Sequence, residues 1–221
     1  MLHGLKNIVI IGTDTDIGKT IISCAILSKT KNALGLKPIS SGAALSDGQL
    51  VNADALSIMR YNSITLPYSQ INPWCFKSPI SPHIAATEHG VEILLPEVLS
   101  FIQNIQNTYN DKFILIEGAG GVCCPINYHA TFLELLEILN WPVLLVVGLK
   151  LGCLNHAKLT MHALASSNIK VCGWVSNETT PMMAKTENLA TLKSMIKAPH
   201  LGDIPYQSVI NIENIANLLQ I

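Results

Sequence analysis

The chain has 221 residues, 49% of them apolar and 13% charged, with 14 basic against 15 acidic side chains and a formal charge of −1. That composition excludes a disordered chain, and without a clustered basic excess there is no electrostatic basis for binding nucleic acid or an anionic membrane. No apolar run approaches the ~20 residues of a membrane span, and the N-terminus reads without a signal peptide. A single folded domain over 1–221, cytoplasmic, is expected.

The first predicted strand, Asn7–Ile11, runs into Gly12-Thr13-Asp14-Thr15-Asp16-Ile17-Gly18-Lys19-Thr20, and a helix over Lys19–Thr30 follows. A glycine-bearing turn between a strand and a helix aims backbone N–H groups and a helix N-terminus at an anion. The segment Asp16, Ile17, Gly18, Lys19, Thr20 would cradle phosphates, with Lys19 at the β/γ-phosphates and the Thr20 hydroxyl on Mg²⁺. Thr13 stands where the common pattern has its first glycine, so the loop is a variant.

The second strand, Ala33–Lys37, ends in Lys37. Ligands of parallel sheets bind beyond the carboxyl ends of strands. Lys37 is therefore either a fixed cation beside the phosphate loop or a solvated edge charge. Asn52 announces a helix over Ala53–Arg60, and Asp54 near its start serves either the helix dipole or a metal. The stretch 61–92 holds four prolines and reads as a long ordered excursion, a kind of loop that is usually functional. A helix over Pro96–Asn107 precedes the third strand, Phe113–Glu117, which leads into Glu117-Gly118-Ala119-Gly120-Gly121. An acid ending a buried strand suits a second Mg²⁺-organising carboxylate, and the glycines admit close backbone approach. Thr20, Asp54 and Glu117 together form an oxygen set that Mg²⁺ would accept.

Strands at Val143–Val147, Lys170–Val175 and His200–Ile204 then alternate with helices at Thr131–Leu139, Leu154–Ser166, Ala184–Ile196 and Ile212–Leu219. The strands are unalternating and apolar, as strands covered on both faces should be. The pattern predicts an α/β fold of the P-loop NTPase kind, a mostly parallel central sheet flanked by helices on both faces. Six cysteines lie scattered without C-x-x-C or zinc-finger spacing, and read as reduced thiols.

The segments GTDTDIGKT, GLKPISSG, ADAL, NPWCFKSPISPHIAA, EGAGG, VVGLKLGCLNHAKLT and GWVSN occur in the order and spacing of the dethiobiotin synthetases, and the chain resembles that family over nearly its whole length. The resemblance implies ATP- and Mg²⁺-dependent closure of a cyclic urea on 7,8-diaminopelargonate (7,8-diaminononanoate) with CO₂, in biotin biosynthesis. It implies an active-site Lys37, with Thr15 and Ser41 hydrogen-bonding the diamine or its carbamate. It also implies that Asn177 reads the adenine edge, with Gly118, Ala119 and Gly120 near the nucleotide and Pro205 in the base pocket.

The diamine's tail ends in a carboxylate, yet Arg60 is the only arginine. The turn Gly152-Cys153-Leu154-Asn155 opens a helix and could hold an anion on its N–H groups, or could simply cap its own helix. The resemblance places this turn in the partner's site of a twofold homodimer. The rival reading is a partitioning-type P-loop ATPase switch. Such switches carry an extra lysine after the first glycine, where this chain has Thr13 and Asp14.

Overall fold

The computed structural model describes residues 2 and 4–221. In chain order the elements are β1 (Asn7–Gly12), α1 (Lys19–Lys29), β2 (Ala33–Leu36), β3 (Ile39–Ser40), β4 (Ala44–Ser46), β5 (Gln49–Val51), α2 (Ala53–Met59), β6 (Trp74–Cys75) and α3 (Pro82–Glu88). They continue with α4 (Leu95–Thr108), β7 (Phe113–Gly121), α5 (Phe132–Leu139), β8 (Val143–Leu149), α6 (Cys153–Ser166), β9 (Val171–Glu178), α7 (Lys185–Met195), β10 (His200–Ile204) and α8 (Ile212–Leu218).

Six strands form one sheet in the order β10-β9-β8-β1-β7-β2, and every neighbouring pair is parallel. Alternate residues of each strand face opposite sides. Ile8 and Ile10 of β1 therefore pack with Ile22 and Ile26 of α1 and Ile215 of α8 on one face. Val9 and Ile11 pack with Val98, Leu135 and Leu164 of α4, α5 and α6 on the other. Both faces are buried, which is why the strands read as continuous apolar runs.

From β1 the chain crosses to β2, returns to fill the gap with β7, and then moves to the far side of β1 for β8. The reversal opens a crevice at the carboxyl ends of β1 and its neighbours, the place where ligands bind in open α/β sheets. All six predicted strands are present, with two boundaries that change the geometry of the site. β2 stops at Leu36, so Lys37 lies just beyond it, and β7 runs on to Gly121, so Glu117 sits inside the strand rather than at its end.

The excursion over 61–92 contains the two-residue strand β6, paired in parallel with β3, and the helix α3. Neither was expected. Pro82 sits in the first turn of α3, where its missing N–H costs nothing. Among the described residues no helix is long and apolar enough to cross a membrane.

Candidate active site

Asp16 and Gly18 both take positive φ, 52° and 89°, and so turn the loop back over the start of α1. A Cβ on Gly18 would run into the Asn177 amide, so the position requires glycine for space as well as for its backbone angle. No side chain caps α1 at Gly18, which leaves its first-turn N–H groups free for an anion. Gly12 is constrained by space alone: a Cβ there would stand 2.9 Å from the Asp14 carbonyl and 3.1 Å from Cδ of Lys19. Lys19 is 6% exposed, and its Nζ donates to the Asp14 carbonyl at 2.8 Å. Burial, followed by repulsion from Lys37, pushes its ammonium down to about 8.

Glu117 is fully buried and is the hub of the crevice. Lys37 Nζ donates to its Oε1 at 2.6 Å and the Thr20 hydroxyl to the same atom at 2.8 Å. The Ser23 hydroxyl donates to Oε2 at 2.7 Å. Lys37 also lies 3.5 Å from Asp54 Oδ2. Burial opposes the charge on Lys37, but the Glu117 and Asp54 carboxylates outweigh it and hold the ammonium above the ordinary lysine value. Asn52 Oδ1 caps α2 by accepting from the Asp54 and Ala55 N–H groups, which leaves the half-exposed Asp54 carboxylate facing Lys37.

These groups line a cleft of about 750 Å³. Of the residues proposed from sequence it brings together Thr15, Asp16, Gly18, Lys19, Thr20, Lys37, Ser41, Asp54, Glu117, Ala119 and Gly120. Ile17 is instead buried against Gly12 and Gly148, so it contributes backbone only. Gly118 is buried within β7 and does not line the cleft. A second recess of about 160 Å³ shares Asp16, Gly18 and Ile21 with the cleft and adds Asn177, Glu178, Ile204 and Tyr206. Asn177 donates from Nδ2 to the Ile17 carbonyl at 2.8 Å, and Pro205 lies between the lining residues Ile204 and Tyr206. Gly152, Cys153, Leu154 and Asn155 do not line this chain's own cleft. Gly152 takes φ 92° at the start of α6, and Leu151 beside it is 98% exposed.

Sequence reasoning missed several contributors. Ser23 lies three residues after Thr20 on one helix face, a spacing that pointed to a shared partner without naming it. Asn72 is buried; its Nδ2 donates to the Lys37 carbonyl at 2.6 Å, and its Oδ1 accepts from Ser40 and Tyr68. It therefore fixes the backbone that carries Lys37. Pro79, Ile80 and Ser81 also line the cleft.

A family model described as an AAA domain matches residues 6–214. The ATP-dependent dethiobiotin synthetase BioD of Legionella pneumophila (strain Paris) is 41% identical over 209 residues, covering 94% of this chain and 97% of the relative. The protein of the same name from Yersinia pestis bv. Antiqua (strain Angola) is 43% identical over 206 residues, covering 91% and 85%. That from Alteromonas mediterranea is 38% identical over 231 residues, covering 98% and 99%.

The chain belongs to the ATP-dependent dethiobiotin synthetase family.

The dethiobiotin synthetase fold is shared with more distant proteins of known structure. A ParA family ATPase from Chlorobium tepidum TLS matches with a TM-score of 0.57 at 15% identity, over 92% of this chain and 85% of that one. The MinD cell division protein of Aquifex aeolicus matches with a TM-score of 0.55 at 15% identity, over 96% and 86%. At that identity the likeness is one of fold alone.

The donor set fits Mg²⁺. Hard oxygen ligands with phosphate and water completing an octahedron suit this ion, and Thr20, Asp54 and Glu117 supply such oxygens. The Thr20 proton is committed to Glu117, so the hydroxyl lone pairs are left for a cation. Among the described residues no three His, Cys, Asp or Glu side chains group as a protein-only metal cage.

Proposed function

We propose that this cleft closes the ureido ring of dethiobiotin. Its substrates are 7,8-diaminopelargonate, CO₂ (or bicarbonate as its source) and ATP, its products ADP and phosphate, and it works in the cytoplasm as a twofold homodimer. The observation that carries the reading is the pair of buried ammonium groups, Lys19 and Lys37, set over one hydroxyl and two carboxylates at the end of a phosphate loop. Membership of the synthetase family supplies the substrates.

The chemistry needs two anions brought together. One amine of the substrate adds to CO₂ and loses a proton, giving a carbamate. A carbamate oxygen then takes the γ-phosphoryl group from ATP, and the second amine attacks the resulting mixed anhydride, expelling phosphate as the ring closes. Carbamate and γ-phosphate repel each other strongly in a dry site. Lys19 and Lys37 offset that repulsion and hold the groups in line. When bound, Mg²⁺ supplies further neutralisation of phosphate charge, held by Thr20, Asp54 and Glu117. Thr15 and Ser41 hydrogen-bond the diamine or its carbamate, a role supported by both lining the cleft.

The base occupies the second recess, with Asn177 Oδ1 toward its edge and Pro205 in the wall. The turn Gly152, Cys153, Leu154 and Asn155 holds the diamine's carboxylate in the partner's cleft through its unengaged N–H groups, the Cys153 N–H itself donating to the Lys150 carbonyl at 3.0 Å. Gly152 and Asn155 are exposed although Cys153 is buried, and the turn's absence from its own cleft supports that placement.

Incubation with labelled bicarbonate, ATP, Mg²⁺ and the diamine tests the reading. Label should enter an acid-stable cyclic product in a one-to-one ratio with ADP formed. ADP formation with no label fixed would refute it.

A further inference from the structure

Beyond its end, β1 remains stitched to β8. The Thr13 N–H donates to the Val146 carbonyl at 3.0 Å, and the Gly148 N–H reaches the Thr13 hydroxyl at 3.4 Å. A third rung follows, made by side chains: Lys150 Nζ donates to Asp14 Oδ2 at 2.6 Å, with His156 Nδ1 at 3.8 Å from the same oxygen. The other Asp14 oxygen accepts the Thr15 N–H at 2.8 Å. The Asp14 backbone carbonyl is also the acceptor for Lys19 Nζ. One residue thus fixes the phosphate loop to the far strand through its side chain and seats the loop's lysine through its main chain.

We infer that Asp14 is a positioning residue for nucleotide binding, and that its ion pair with Lys150 sets the curvature of the phosphate loop and the seat of Lys19. The inference rests on the nucleotide reading of this loop. It concerns a residue that does not line the cleft. Without the third rung the Asp14 peptide is held only by its neighbours, and its carbonyl can rotate away from Lys19. Lys19 would then sample several positions, and the cost of ordering it would fall on ATP binding. The pair is partly exposed, 32% and 39% at the two side chains, so its contribution is that of a modest ion pair, about fivefold in affinity.

The test uses Asp14→Asn, Lys150→Gln and the double variant in the full chain. Asn keeps an acceptor for the Thr15 N–H, and Lys150→Gln leaves the loop sequence untouched. Binding of ATP with Mg²⁺, measured by calorimetry without diamine, should weaken about fivefold in each single variant and no further in the double, because both remove the same rung. The KM for ATP should rise by the same factor with kcat within about twofold, while the melting temperature of the nucleotide-free protein stays within about 2 °C. Unchanged ATP affinity in Asp14→Asn, losses that multiply in the double variant, or a fall in melting temperature that tracks the affinity loss would each overturn the inference alone. A parent protein that binds no ATP would overturn the nucleotide reading and this inference with it.

Discussion

Replacing Lys37 with methionine should damage stability and catalysis by separate routes. Among the described residues Lys37 is the one cation bonded to Glu117, a fully buried carboxylate whose other partners are the Thr20 and Ser23 hydroxyls. Asp54, 3.5 Å from Lys37, carries the same sign as Glu117 and offers no relief. Removing one member of a buried pair costs about 3–5 kcal/mol because the other charge is left uncompensated. The two hydroxyl donors remain, so about 3 kcal/mol is expected. With a urea m-value of about 2–3 kcal/mol/M the unfolding midpoint should fall by about 1 M. Adding Glu117→Gln to Lys37→Met removes the orphaned charge and should recover most of that loss. Turnover should not recover: losing a cation aimed at developing charge lowers kcat about 10²- to 10³-fold, and the double variant keeps that defect. Urea unfolding followed by circular dichroism, beside phosphate release at saturating substrates, reads both effects. A Lys37→Met protein with the parent midpoint and near-parent turnover would exclude both roles for Lys37. A double variant no more stable than the single would show that the Glu117 charge is not the cause.

The depressed value of Lys19, about 8 against an ordinary 10.5, means that the unfolded chain binds more protons than the folded one between those limits. Stability should therefore rise as pH increases from about 8 toward 10.5. Lys19→Met should lack that rise in pH-dependent urea titrations, and ATP affinity of the parent should decline above about pH 8. Asp54→Asn should raise the Mg²⁺ concentration for half-maximal activity while leaving the urea midpoint nearly unchanged, since the Asp54 side chain is 49% exposed and removes one hard ligand; equal Mg²⁺ dependence would exclude it from the metal site. Gly152→Val should raise the KM for the diamine and not for ATP, and mixing it with Lys37→Ala should restore activity through heterodimers carrying one intact site. Failure of the mixture to regain activity would exclude a shared site.

The sheet was legible because its strands are buried on both faces, so Ile8 to Ile11 and Val143 to Val147 read as unbroken apolar runs. The phosphate loop was legible because its signal is local: a strand, a turn with Gly18, then Lys19 and Thr20. Boundaries were less so. Glu117 stands mid-strand because β7 continues past a register shift at Ala119 and Gly120, residues of little strand propensity, to Gly121, which pairs with Gly12 of β1. Helix α3 escaped notice because it has seven residues inside a proline-rich stretch, too short for periodicity to register. The contacts of Ser23, Asn72 and Lys150 span 94, 35 and 136 positions in the chain. No local pattern encodes such pairings; they follow only once the topology has brought the elements together.

Phosphate release by the purified protein distinguishes a synthetase from a simple ATPase. With ATP and Mg²⁺ present, release should begin only when diaminopelargonate and bicarbonate are both added, and should match dethiobiotin formed one for one. Release equally fast without the diamine would contradict the account and indicate an ATPase switch built on the same fold.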